Sequence, residues 1–171
     1  RIGYQNRPLL FDLNIKLPEL LYERVVEVSE RLNEKGEVVT KLNEEEVRNS
    51  LIKAKSDGIN SVAIAFMHSY INPDHENKIE QIAKEENFNQ ISVSHKVSPL
   101  IKLVGRGDTT VVDAYLSPIL RRYVNQVSDE LKDTKSTQLM FMQSNGGLTD
   151  ANLFQGKDAS VSYTHLRAHE T

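Results

Sequence analysis

Apolar and polar positions alternate in two short segments near the start of the chain. The alternation is partial from Tyr22 to Leu32 and continues from Glu37 to Thr40, after the turn-like Asn33-Glu34-Lys35-Gly36. Alternating side chains lie on opposite faces of a strand, and a short glycine-containing segment between two such runs favours a tight turn. This pattern predicts a two-stranded β-hairpin over residues 22–40.

A helical period replaces the alternation after residue 42. Asn43 can cap a helix with Glu46 three positions on, and Gly58 stands where such a helix would end. One face of this helix carries apolar side chains at Val47, Leu51 and Ala54. The segment therefore predicts an amphipathic helix that packs on a core.

A strand, a second helix and a second strand are predicted next. Ile59 to Met67 is largely apolar, which is typical of a strand covered on both faces in a parallel sheet. Asn72-Pro73 is a helix-start pattern. An apolar stripe follows it at Ile79, Ile82 and Ala83, with Phe88 beyond. Gln90 to Ser94 then predicts a short strand, and the order of elements predicts an α/β fold.

The passage VSPLIKLVGRGDTT, with Gly105 and Gly107, is typical of a loop, and a long helix is predicted from Thr110 to Leu131. Pro118 interrupts the helical period, so either a kink or two helices meeting there fits the pattern. The apolar run at Leu139 predicts a buried strand that opens a further α/β segment. A domain boundary near residue 108 follows from this order.

Composition excludes several classes of protein. The chain has 171 residues, of which 39% are hydrophobic, and its net charge of −3 comes without a basic cluster that would follow a nucleic-acid backbone. No window is apolar for long enough to span a membrane. Cysteine is absent, which excludes disulfides and thiol catalysis and fits a cytoplasmic protein.

Polar side chains that follow predicted strands are the candidate site residues, because ligands of open α/β sheets bind at the carboxyl ends of strands. His68 follows the strand that ends near Met67. Its imidazole could act as a base, an acid or a hydrogen-bond donor, or it could simply cap the edge of the core. The pattern alone leaves both roles open.

Two further groups are candidates. Ser144, Asn145, Gly146 and Gly147 follow the strand at Leu139, and their amides could hold a carbonyl or phosphate oxygen or could form a plain turn. The Arg106-Gly107-Asp108 segment could bind a substrate carboxylate through the guanidinium, or could be an exposed pair in a loop.

Other charged residues predict no site. The pattern places His75 and the pair Arg121-Arg122 on solvated helix surface, and no spacing of histidine and carboxylate residues predicts a metal site.

Five blocks in the sequence resemble those of the hydantoinase A and 5-oxoprolinase family in order and spacing. They are RIGYQNRPLLFDL, LYERVVEVSERL, AIAFMHSYINPDHE, GRGDTTVVDAYLSPILRRYV and MQSNGGL. The resemblance implies a fragment of an actin-like and sugar-kinase-like ATPase fold. It also implies an enzyme that uses ATP and Mg²⁺ to open a lactam or cyclic imide such as 5-oxoproline or hydantoin, through phosphorylation of the amide oxygen. A second hydantoinase-type subunit or domain is an expected partner.

The same resemblance implies a division of the chain. Residues 1–107 would form the C-terminal part of the family's N-terminal domain, and residues 108–159 would begin its hydantoinase A domain. The family's two phosphate-binding segments would lie upstream of Arg1 and after Ala159. Residues 160–171, SVSYTHLRAHET, depart from the family and resemble a translated adapter. We therefore expect an internal fragment that binds no ATP and is inactive alone.

Two alternatives remain open. Related ketone carboxylases of the acetone or acetophenone type share this architecture, and a carbon dioxide requirement in the full-length protein would select them. A non-catalytic module that kept the scaffold is the third possibility, and the upstream sequence would decide it by showing whether the phosphate loop survives.

Overall fold

The computed structural model describes residues 19–131, 140–142 and 148–150. The predicted hairpin is present but shorter than expected, with β1 (Arg31–Leu32) pairing antiparallel with β2 (Val38–Thr40). Gly36 in its turn has a φ of 80°, a left-handed conformation that glycine adopts without strain. Residues 22–30 do not form a strand. Alternation of apolar and polar residues indicates which face of a strand would be buried, but a strand also needs a neighbouring strand to pair with, and the alternation does not provide one.

The helix α1 (Glu44–Ser56) confirms the first predicted helix. The side chain of Asn43 accepts a hydrogen bond from the backbone N–H of Glu46 at 3.2 Å, and Gly58 follows with a φ of 88°. The three apolar positions of its stripe, Val47, Leu51 and Ala54, are buried.

The α/β arrangement is confirmed in the next three elements. Strand β3 (Ser61–Ile64) and strand β4 (Gln90–Val93) pair in parallel, in register from Ser61 opposite Gln90 to Ile64 opposite Val93. Helix α2 (Asp74–Glu85) connects them. The apolar residues of α1, α2 and the sheet form one core: Val47, Leu51, Ala54, Ile64, Ile79, Ile82, Ala83, Phe88 and Val93.

A short helix, α3 (Ser94–Val97), follows β4, and α4 (Leu103–Glu130) then runs for 28 residues. The loop predicted at Gly105 and Gly107 is wrong, because both glycines are helical. Pro118 lies inside one continuous helix. Thr109 and Thr110 reinforce its first turns by donating to the carbonyls of residues 105 and 106 at 2.8 and 2.6 Å.

A polar layer separates α4 from the sheet. Ile91 and Val93 of β4 point towards the apolar core, so the alternate positions of the strand face the other way. Those positions contact α4 through three side-chain hydrogen bonds: Arg106 to Ser94, Ser92 to Asp113, and Arg121 to Gln90. The helix is thus held over the strand by buried polar contacts at regular intervals.

The strand predicted at Leu139 is present as β5 (Met140–Met142), which pairs antiparallel with β6 (Leu148–Asp150). The candidate residues Ser144, Asn145, Gly146 and Gly147 lie between these strands, outside the described residues.

Candidate functional site

The carboxyl ends of β3 and β4 lie at one edge of the sheet, because the two strands are parallel. The segment after β3 contains His68, and the segment after β4 begins at Ser94. The two segments touch where the Oγ atoms of Ser69 and Ser94 lie 3.2 Å apart. This edge, here called the carboxyl edge, is where open α/β sheets bind their ligands.

Glu76 fixes the shape of the carboxyl edge from the first turn of α2. Its side chain is fully buried, and one oxygen, Oε1, accepts from the backbone N–H of Phe66 at 2.8 Å and from Ser94 Oγ at 2.6 Å. The other oxygen, Oε2, accepts from the backbone N–H of His95 at 3.1 Å and faces His95 Nδ1 at 2.6 Å. A buried carboxylate with four such contacts is compensated for its lost hydration.

Arg106 closes the other side of this cluster from the first turn of α4. Its side chain is fully buried. All five guanidinium N–H groups have acceptors. Those acceptors are Ser94 Oγ and the backbone carbonyls of Phe66, Met67, Leu100 and Ile101. Arg106 therefore joins the loop after β3 to the segment between α3 and α4.

Electrostatics at Arg106 reflect its burial. Burial lowers the pKa of Arg106 below its ordinary value, against the opposing effect of the Glu76 and Tyr70 charges. The guanidinium stays charged at every physiological pH, because an arginine pKa starts far above that range. Its Cζ lies 5.6 Å from the centroid of the Tyr70 ring, within the distance of a cation–π contact.

His68 lies on the same edge and is half-buried. Its ring centroid is 6.2 Å from that of Tyr70, so both His68 and Arg106 lie close to the Tyr70 ring. The Nδ1 atom of His68 is buried and has no hydrogen-bond partner within the described ranges. A buried polar atom without a partner is costly, which makes this nitrogen a candidate contact for a ligand.

Asp108 is on the same helix as Arg106, and the two residues do not form a loop pair. Positions two apart on a helix point in different directions. Asp108 is half-buried, and burial raises the pKa of its carboxyl above the ordinary value. The structure thus brings His68 and Arg106 together at one edge and places Asp108 on another face of α4.

Three residues of the carboxyl edge were not predicted from the sequence: Glu76, Ser94 and His95. The signal for the last two was present, since both directly follow the strand Gln90–Val93. Glu76 has no comparable signal, because a carboxylate in the first turn of a helix is usually solvated.

The solvated positions predicted for His75 and Arg121 are wrong. His75 is 6% exposed, and its Nδ1 lies 2.7 Å from Glu30 Oε2. Arg121 is half-buried against Gln90, whereas Arg122 is exposed as predicted. Both errors arise because helical periodicity gives the face of a side chain and not the segment that packs against that face.

Among residues 19–131, 140–142 and 148–150, no three or more histidine and carboxylate side chains are grouped so that they could hold a metal ion. None of the helices in the same ranges is long and apolar enough to cross a membrane.

The parallel strands, the helices on both of their faces and the polar carboxyl edge define a segment of an α/β protein with a candidate ligand site. The chain belongs to the hydantoinase/oxoprolinase family. Residues 1–87 match the family's "Hydantoinase/oxoprolinase N-terminal region", and residues 106–163 match its "Hydantoinase/oxoprolinase" domain.

Relatives and one solved structure support this assignment. The chain is 40% identical to the 5-oxoprolinase of Saccharomyces cerevisiae over 94% of its own length and 15% of that protein. It is 30% identical to the acetophenone carboxylase gamma subunit of Aromatoleum aromaticum, covering 77% of the chain and 18% of the subunit. The crystal structure of the ATP-dependent caprolactamase from Pseudomonas jessenii matches with a TM-score of 0.68 and 26% identity, covering 78% of the chain and 20% of that protein. The chain thus spans about a sixth of the length of these proteins.

Proposed function

We propose that the full-length protein is an ATP-dependent hydrolase that opens a cyclic amide of the 5-oxoproline or hydantoin type. The observation that carries the proposal is the 40% identity to a 5-oxoprolinase over 94% of the chain. The caprolactamase match supports it independently, since a caprolactam is also a cyclic amide.

The chemistry of the substrate explains a need for ATP. A ring amide is resonance-stabilised and reacts slowly with water, and phosphorylation of its oxygen makes the carbon more electrophilic. We propose ATP as the co-substrate and Mg²⁺ as the ion that balances charge during phosphoryl transfer. The described residues offer no group that could hold the metal, so we assign no phosphoryl-transfer step to them.

The carboxyl edge is proposed as the substrate end of the cleft. His68 is proposed to contact the ring amide and orient it, because its Nδ1 is buried without a partner in the described part of the chain. Arg106 would support that edge through the protein groups it already binds. Asp108, on another face of α4, is proposed to line a part of the cleft away from this edge. Ser144, Asn145, Gly146 and Gly147 are proposed to line the cleft from the segment between β5 and β6.

A ketone carboxylase is the alternative function. It is favoured by the 30% identity to an acetophenone carboxylase subunit. Such an enzyme would consume bicarbonate and ATP with a ketone, whereas the co-substrates of a cyclic-amide hydrolase are water and ATP. A non-catalytic scaffold module is the third possibility, and the presence or absence of the upstream phosphate loop decides it. For all three we propose a cytoplasmic protein that works with a second hydantoinase-type subunit or domain.

The test uses the full-length protein that carries this sequence, purified with any subunit that copurifies. It is incubated with 5-oxoproline, hydantoin or caprolactam, with and without ATP, and the ring-opened acid and ADP are quantified. We expect one cyclic amide to be opened only when ATP is present and without added bicarbonate. Product from acetone or acetophenone that requires bicarbonate would replace the proposal with the carboxylase alternative.

A further inference from the structure

We propose that His95, held by the buried carboxylate of Glu76, accepts and returns the proton of the ring-opening step. The inference rests on the proposed function and adds to it a proton-transfer residue that follows β4. His95 lies in residues 88–105, between the two segments that match the family.

The contacts of Glu76 orient the imidazole ring of His95. Oε1 accepts from the Phe66 N–H and the Ser94 hydroxyl, and Oε2 accepts from the His95 backbone N–H. The carboxyl group is thus the acceptor in three of its four contacts. The remaining contact, from His95 Nδ1 to Oε2 at 2.6 Å, is then a donation by Nδ1–H. In a neutral imidazole this leaves the lone pair on Nε2.

The Nε2 atom of His95 is open to a reactant. It makes no hydrogen bond to the described residues and is not among their buried unpaired atoms. The His95 side chain is 14% exposed, so most of the ring is held in the protein while one edge reaches solvent. A base with one nitrogen fixed by a carboxylate and the other accessible is the arrangement that proton transfer requires.

The position of His95 in the fold also fits a role in proton transfer. It comes two residues after β4 ends, and its neighbour Ser94 touches Ser69, the residue after His68. Both histidines therefore belong to the two contacting segments of the carboxyl edge. His68 has no carboxylate on its Nδ1 within the described ranges, so orientation suits His68 and proton transfer suits His95.

The proton balance of the step is simple. A water oxygen forms a bond to the activated ring carbon, and the water proton passes to His95 Nε2. The resulting imidazolium is stabilised by the Glu76 carboxylate. The ring C–N bond then breaks with its electron pair on nitrogen, and that nitrogen takes the proton from Nε2. The carbonyl re-forms as its hydroxyl proton passes to the phosphate oxygens, which leaves an acyl phosphate on the cleaved carbon. A second water hydrolyses the acyl phosphate to a carboxylate and inorganic phosphate, and His95 has returned to its starting state.

The chain supplies a matched control in His75. Its Nδ1 lies 2.7 Å from Glu30 Oε2, so it forms the same kind of pair in a similarly buried setting. That pair joins α2 to the segment before β1 and does not follow a strand of the parallel sheet. Loss of His75 should therefore affect packing and leave turnover unchanged.

The experiment compares His95→Gln and His75→Gln in the full-length protein, with the cyclic amide and ATP. We expect His95→Gln to lower kcat for ring opening by a factor on the order of a hundred or more. His75→Gln should keep the wild-type kcat. Melting temperatures of both variants separate loss of the fold from loss of proton transfer.

A second measurement does not depend on turnover. Diethyl pyrocarbonate modifies accessible neutral imidazole nitrogens, and peptide mass spectrometry locates the product. His95 should be modified in the folded wild-type protein and His75 should be protected. If the wild-type protein is active, an unchanged kcat in His95→Gln or an unmodified His95 would overturn this inference and leave the proposed function standing. A wild-type protein that opens no cyclic amide would instead overturn the proposed function.

Discussion

At the residue scale, the buried charges of Glu76 and Arg106 determine how the carboxyl edge is built. Each is fully buried, and both contact Ser94 Oγ, which links them. Their hydrogen bonds go mainly to backbone groups of the segments after β3 and β4. Since removing one member of such a set leaves the others buried and unpaired, these contacts hold the loop geometry in place.

Replacing Asp108 with Asn should stabilise the chain at neutral pH. Burial raises the pKa of Asp108, so the folded state binds the proton more tightly than the unfolded chain does. Stability is therefore lost as pH rises from the pKa of Asp108 in the unfolded chain to its higher pKa in the folded state, and a neutral amide avoids that loss. Thermal melting of both proteins between about pH 3 and about pH 8 measures the effect. An advantage for Asn that persists unchanged at the acid end would contradict this account.

Gly36 and Gly58 form a matched pair for a test of backbone strain. Both have a positive φ, but a Cβ at Gly36 would lie 2.8 Å from Ile71 Cγ2, whereas a Cβ at Gly58 would meet nothing within 4 Å. Gly58→Ala should cost about 1 kcal/mol of unfolding free energy, and Gly36→Ala about 2–3 kcal/mol because a clash adds to the strain. Denaturant unfolding measures both values.

The double variant Gly36→Ala with Ile71→Ala isolates the clash. Ile71 is exposed, so its truncation alone should cost little. In the double variant most of the excess cost of Gly36→Ala over Gly58→Ala should disappear, and the remainder reflects the Cβ of Asn72 at 3.3 Å. Equal losses in the two single variants would show that contact with Ile71 plays no part.

At the element scale, the elements predicted correctly from the sequence are those in which the apolar positions of one face are also the buried positions. The stripes of α1 and α2 are buried as expected. The start of α4 was mistaken for a loop because two glycines favour loops locally. There the buried Arg106 holds the helix in place instead, through its hydrogen bonds to the segments after β3 and after α3. Local propensity cannot show such tertiary contacts, so the site at the start of α4 was only partly predictable.

Removing the guanidinium of Arg106 should loosen the first half of α4. Arg106→Met leaves several buried carbonyls and the Glu76 carboxylate without their cation, at a cost of about 3–5 kcal/mol. Arg122→Met is the control, since Arg122 is exposed on the same helix. Hydrogen–deuterium exchange should become faster in residues 103–116 for the first variant only. Equal protection in both variants would show that the polar layer does not hold α4.

At the scale of the whole molecule, the centre of the described part of the chain is the parallel pair β3 and β4, with α1 and α2 on an apolar face and α4 on a polar one. The chain spans 15% of the length of the relative from Saccharomyces cerevisiae. The sequence located His68 at the carboxyl edge from strand position alone. The same strand-end signal was present for His95, but the sequence could not reveal Glu76, because its burial depends on contacts with distant segments.

The most direct test of a substrate site at the carboxyl edge is the ratio of ring-opened product to ADP formed by His68→Asn in the full-length protein. If His68 orients the cyclic amide, this ratio should fall by a factor on the order of a hundred, with ATP cleavage retained and the melting temperature unchanged. Wild-type coupling of product to ADP together with a lowered melting temperature would show that His68 is a packing residue, and would contradict the assignment of the substrate to this edge.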